Sequence, residues 1–175
     1  MLRRFLLATA LVALGACTGT PEGVEPVAGF ELERYLGRWY EIARLDHGFE
    51  RGLVGVNANY SLRDDGTVRV VNRGFDAEAG EWDEAVGVAK FVQGPSTGHL
   101  KVSFFGPFYG AYVVFELDKA GYEYAFVSGP NRSYLWLLAR EPVVDAALRE
   151  RFLRRAGELG FATDDLIWVD QSRNR

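Results

Sequence analysis

The chain has 175 residues, 20 basic against 24 acidic, for a net charge of −4 and an isoelectric point near 5.3. That balance lacks the basic footprint of a nucleic-acid binder. A single cysteine excludes an internal disulfide or a cysteine zinc site, and two histidines leave little for a metal, so no metal site and no cofactor are expected.

The first segment reads as a secretory leader over 1–16. Arg3 and Arg4 precede the apolar run Phe5–Leu14, which is too short for a comfortable transmembrane helix. Leu14-Gly15-Ala16-Cys17 resembles the bacterial lipoprotein box, in which the cysteine is lipidated and becomes the new N-terminus. Cys17 is therefore the expected membrane anchor, and threonine rather than aspartate at position 18 implies sorting to the outer membrane. Residues 17–29, rich in Gly, Pro, Thr and Glu, read as a flexible tether ahead of a folded domain over 30–175.

From Phe30 onward the pattern predicts an all-β unit. Eight strand-like segments fall at Arg38–Leu45, Val54–Leu62, Thr67–Phe75, Glu84–Val92, His99–Phe105, Ala111–Leu117, Tyr122–Ser128 and Tyr134–Arg140. Short breaks such as Asp64-Asp65-Gly66 and Glu78-Ala79-Gly80 make neighbours antiparallel, and eight such strands close into an up-and-down barrel. One helix follows over Val144–Leu159, with Leu148, Phe152, Ala156 and Leu159 on one stripe, Pro142 in its first turn and Gly160 just past its end. A closed barrel accepts that stripe only on its outer wall. Leu166-Ile167-Trp168-Val169 then adds a last short strand.

Gly37-Arg38-Trp39-Tyr40 opens the first strand, Leu117-Asp118 leads to Tyr122, Tyr124 and Ala125, and Arg140 ends the eighth. In this order, ahead of a C-terminal helix, the three blocks resemble the signature of the lipocalin family. Longer blocks, among them Arg34–Arg44 and Lys101–Gly110, are similar to its bacterial outer-membrane lipoprotein branch. The resemblance implies an eight-stranded antiparallel lipocalin barrel with the helix packed outside. Trp39 and Gly37 would lie at its closed end, with Arg140 over the tryptophan ring, a cation–π contact of about 0.5–2 kcal/mol. Ser128 stands where the family often has cysteine, so no thiol chemistry is expected inside the barrel.

By the same resemblance the barrel would carry a lipid, a fatty acid or lysophospholipid, on the periplasmic side of the outer membrane. Strand faces such as Leu100/Val102/Phe104 can line an acyl-sized cavity. Burying ten methylenes gives roughly 8 kcal/mol before the cost of immobilisation, which suits micromolar affinity. Trp136, about 13 Å above Arg140 at the strand rise, and Phe104 would face the cavity. Tyr109, Phe49 and Arg51 would stand at the open mouth, with 46–51 as a lid and Arg51 or Arg132 as the cation for an anionic headgroup. The resemblance also allows a homodimer through aromatics such as Trp82 and Trp168. Glu41 reads as a buried carboxylate beside the first-strand tryptophan, and His47 and His99 fall at different ends of the barrel. No catalytic residues are expected. The competing readings are a lipocalin-fold enzyme acting on a small hydrophobe, against which stands the lack of a nucleophile elbow or barrel cysteine, and a structural lipoprotein whose barrel is filled by its own side chains.

Overall fold

The computed structural model describes residues 18–174; the leader and Cys17 lie outside the described residues. Nine strands form one sheet: β1 (Gly37–Arg44), β2 (Leu53–Leu62), β3 (Val68–Asp76), β4 (Glu81–Phe91), β5 (His99–Phe105), β6 (Phe108–Leu117), β7 (Tyr124–Ser128), β8 (Leu135–Ala139) and β9 (Ile167–Trp168). Each of β1 to β7 pairs antiparallel with the next, and β1 also pairs with β8, which closes the barrel. Among the described residues no helix is long and apolar enough to cross a membrane.

Two apolar cores result, one on each face of the wall. Inside, Trp39, Tyr60, Val70, Leu100, Val114 and Leu138 point inward from alternate positions, the period that a one-sided strand dictates. Outside, Ile42, Val113, Phe126 and Leu137 pack under helix α2 (Ala146–Glu158), which contributes Phe152 and Ala156. The Phe152 ring meets Phe126 edge-on at 4.9 Å between centroids. The helix starts two residues later than its apolar stripe suggests. Asp145 is its N-cap, accepting the Leu148 N–H at 2.8 Å, so Pro142 lies outside the first turn. Gly160 follows the helix with φ of +78°, as a chain reversal there requires.

The closed end is built around Trp39. A single helical turn, α1 (Leu32–Tyr35), crosses beneath it, and the indole N–H donates to the Tyr35 carbonyl at 2.7 Å. The Arg140 guanidinium stacks 3.9 Å from the Trp39 ring. It donates to the carbonyls of Arg38 and Arg34 at 2.7 Å each and of Tyr122 at 3.2 Å. One side chain thus satisfies three backbone carbonyls and caps the floor. Gly37, at φ of +93°, leads into the strand directly beneath it. Tyr122 and Arg140 are corrections to the strand bounds. Tyr122 takes a left-handed backbone, φ +59°, so β7 begins at Tyr124, and Arg140 lies just past β8.

Two chain ends close on the wall. The segment whose composition reads as a tether lies along the outside. Val27 N–H donates to the Val114 carbonyl, Gly98 N–H to the Val27 carbonyl, and Val24 is buried in the outer core. At the other end, β1 and β2 pair only from Gly37↔Tyr60 to Tyr40↔Asn57, and a bulge between Glu41 and Ala43 turns β1 toward β8. The tail fills the resulting seam. Strand β9 pairs with Ala43 and Arg44. The buried Gln171 amide donates to the carbonyls of Glu41 at 2.6 Å and Val56 at 2.9 Å.

Arg140→Ala removes the ring contact and three charged donors, and its expected cost is about 3 kcal/mol in urea unfolding. Arg140→Lys, which keeps the charge without the planar fork, should recover less than half of that loss. Equal stability of Arg140→Lys and the wild type would show that charge alone seals the floor.

Candidate functional site

The barrel encloses a cavity of about 390 Å³ that opens at the end opposite Trp39. Its walls are apolar, from Val56, Ala58, Val70, Val102 and Leu138, with the Phe104 and Trp136 rings above. A second lobe of about 490 Å³ continues toward β3 and β4 and shares Phe49, Phe104 and Phe108 with the first. The deep end is lined by the Tyr60 and Tyr112 rings. The Tyr112 hydroxyl meets those of Tyr35 at 2.6 Å and Tyr60 at 3.0 Å, so the three hydroxyls satisfy one another. Burial raises all three, with Tyr35 and Tyr60 also raising Tyr112 electrostatically, so the group stays neutral.

Polar character concentrates at the mouth. The bulge after Tyr40 leaves Glu41 lining the cavity. Arg44, three residues on, is fully buried and donates to Glu41 Oε1 at 2.7 Å and to the carbonyls of Glu50 and Leu53 at 2.8 and 3.1 Å. The 45–52 connection is thereby tied to β1 and folded over the opening. It brings in Glu50, whose Oε2 accepts the Trp136 indole N–H at 3.2 Å and lies 3.0 Å from His47 Nε2. The Glu41 and Glu50 carboxyls lie near enough for each to shift the other's titration.

Two carboxyls in one buried place cannot both ionise cheaply. Burial, then the neighbouring Glu50 charge, push Glu41 well above the ordinary 4.5, although Arg44 opposes them. Burial would raise Glu50 as well. His47, with hydrogen bonds from Glu41 and Trp136, outweighs it and holds Glu50 low. Glu41 therefore carries the shared proton and Glu50 the charge. Around them stands a stack of rings. Phe49 lies 4.0 Å from His47 and 6.4 Å from Tyr134, and Tyr134 lies 6.0 Å from Trp136.

Of the residues chosen from sequence, Trp136, Tyr109, Phe104 and Phe49 all line this cavity. Arg51 does not, and its expected place at the mouth is corrected: its side chain is 66% exposed and paired with Asp46 at 2.8 Å. Arg132 is likewise spent, on the carbonyls of Leu159 and Glu22. Gly37, Trp39 and Arg140 sit at the closed end. His47 stacks at the mouth, while His99 lies outside the wall, its Nε2 2.9 Å from the Thr18 carbonyl. Sequence reasoning missed Glu50, His47, Arg44 and Tyr134 as a group. The one local signal was Glu41 followed at Arg44 by an arginine inside an apolar strand.

A closed eight-stranded barrel, sealed below by an arginine-capped tryptophan, opens above into a largely apolar cavity, the architecture of barrels with room for one small ligand. A model of the lipocalin-like domain matches residues 30–171, and the chain belongs to the lipocalin family. It is 56% identical over 170 residues to the outer membrane lipoprotein Blc of Vibrio cholerae, covering 97% of this chain and 99% of that one. It is 48% identical over 166 residues to the Escherichia coli K12 protein of the same name, covering 94% and 93%. Among solved structures, insecticyanin of the tobacco hornworm Manduca sexta superposes with a TM-score of 0.71 at 21% identity, over 89% and 88% of the two chains, a likeness of fold.

A carboxyl whose pKa is raised by folding binds its proton more tightly when folded. Its contribution to stability is present below the unfolded value of 4.5 and is lost as pH climbs toward the folded one. As pH rises above that unfolded value the wild type should lose stability relative to Glu41→Gln, by at most about 1.4 kcal/mol per pH unit. Glu50, held low, acts only below that value. Parallel stability curves for the two proteins would show that Glu41 is ionised throughout.

Proposed function

We propose that this protein is a lipid carrier of the outer membrane, anchored through a lipid on Cys17 and facing the periplasm, that takes up single-chain lipids in the barrel cavity. Fatty acids and lysophospholipids are the ligand class. The observation that carries the reading is the cavity itself, mainly apolar, with Asn57 and Asn72 on its walls and the carboxyls of Glu41 and Glu50 at its mouth. A volume of about 390 Å³ falls within the range of small-molecule sites, about 300–1,000 Å³. It also argues against a barrel filled by its own side chains. The anchor reading rests on the sequence around Cys17 and agrees with the names of the Vibrio and Escherichia relatives, both called outer membrane lipoproteins.

A binding role is preferred to an enzymatic one because the mouth residues are organised as a satisfied cluster. Glu50 is engaged by His47 and Trp136, and Glu41 by Arg44. Neither carboxyl is aimed at a nucleophile, as a general base would be. The aromatic rim supports uptake from an apolar source. Phe105 and Phe108, at the tip of the β5–β6 hairpin, are 81% and 79% exposed beside the opening.

Calorimetric titration with a lysophospholipid should saturate at a micromolar midpoint with one site per chain. Val102→Trp, which places an indole inside the cavity, should weaken binding by tenfold or more, on the order of 1.4 kcal/mol, with the fold kept. Trp136→Ala should weaken it to a similar extent. Unchanged affinity in both variants would place the ligand elsewhere.

A further inference from the structure

Neither arginine expected at the mouth reaches the cavity, because Arg51 is paired with Asp46 and Arg132 with the carbonyls of Leu159 and Glu22. What lines the opening instead is acidic and aromatic: Glu41, Glu50, Phe49, Tyr134 and Trp136. We propose that the mouth holds a cationic headgroup, an ammonium borne by a single-chain lipid, between the Glu50 carboxylate and the rings of Trp136, Tyr134 and Phe49. This rests on the carrier reading above and narrows its ligand.

Three independent features support it. The rings form a near-parallel stack along the mouth, with Phe49 and Tyr134 inclined by 19° and Tyr134 and Trp136 by 24°, and ring faces are the surfaces that attract a desolvated cation. A cation-forming ring already lies against this stack. His47, only 5% exposed, meets Phe49, Tyr134 and Trp136 and lies 3.0 Å from Glu50, yet its Nδ1 has no hydrogen-bond partner among the described residues. His47 does not line the cavity, whereas Glu50 does.

The third feature is the charge balance. Arg44 lies against Glu41 and His47 against Glu50, and burial together with the Glu50 charge still favours the protonated form of Glu41. The groups facing that proton are Arg44 on the same strand, Glu50 and His47 on the connection, and Tyr60 on β2, which Glu41 and Glu50 raise further. An ammonium beside Glu50 adds a positive charge that favours the ionised form of Glu41. Glu41 then releases its proton to solvent, and the bound state holds two carboxylates against Arg44 and the ligand. A free carboxylate placed there would meet Glu50 with like charge.

The test compares three ligands of equal chain length on the full chain: hexadecylphosphocholine, hexadecyl phosphate and palmitate. The phosphocholine should bind about tenfold tighter than the other two. Glu50→Gln should remove that preference, weakening hexadecylphosphocholine and strengthening palmitate as the like charge is lost. Calorimetry in two buffers of different ionisation enthalpy should show about one proton released with hexadecylphosphocholine and none with hexadecyl phosphate. Glu41→Gln should bind the phosphocholine without release. Should Glu50→Gln fail to fold, the wild-type ligand series and the proton count still decide. Saturable binding of all three with equal affinity would overturn the headgroup assignment and leave the carrier reading standing. Ammonium preference without proton release would overturn the exchange at Glu41. Failure of every ligand to bind would overturn the carrier reading itself.

Discussion

The barrel depends on β1 pairing with two neighbours that it cannot follow for its whole length. Over its lower half β1 runs beside β2, and over its upper half beside β8, with the bulge at Glu41 to Ala43 between the two regimes. A continuous β1–β2 ladder would bring the upper halves together and narrow the mouth. The bulge instead opens a seam, and an open seam leaves backbone groups without partners, a cost that buried strands do not tolerate. The tail meets it, through β9 on one side and Gln171 across the gap. Closure at the bottom and opening at the top are thus two consequences of one irregularity.

That same irregularity sets the electrostatics. Once Glu41 lines the cavity it has lost most of its water, and Arg44 is the compensating charge that its own strand provides. A buried pair of this kind contributes little net stability, because desolvation consumes much of the attraction. Its consequence is geometric. Arg44 reaches past Glu41 to the carbonyls of Glu50 and Leu53, and so fixes the connection that carries Phe49, Glu50 and His47 over the opening. The cover of the mouth is held by backbone acceptors on a buried guanidinium, more rigidly than a solvated loop would be.

Much of the scaffold was legible because barrel strands obey a local rule. Alternation placed Trp39, Phe104, Trp136 and Leu100 inward, and turn residues marked the breaks. Arg140 over Trp39 was expected from family resemblance and is found at 3.9 Å. What was not legible depended on contacts between segments far apart. Gln171 bridging Glu41 and Val56 spans more than a hundred residues, and nothing in a tail of polar residues announces it. The segment 18–29 has the composition of a linker, but Val24 and Val27 supply enough apolar side chain to lie on the wall. Arg51 misled because a charge beside a mouth was read as facing it. An adjacent aspartate five residues earlier was the closer partner.

The distribution of satisfied and unsatisfied polarity also gives the cavity a direction. At the deep end the hydroxyls of Tyr35, Tyr60 and Tyr112 consume one another's hydrogen-bonding capacity, and burial keeps them neutral. They offer an entering polar group little in return for its lost water, whereas a methyl terminus loses nothing there. At the mouth, Glu50 keeps its charge and Glu41 its exchangeable proton. On the carrier reading, a single-chain lipid therefore enters tail first, and the free energy of its chain is nearly independent of its headgroup. Discrimination among such lipids then falls to the few ångströms around Glu50, where one charge decides whether desolvation of the headgroup is compensated.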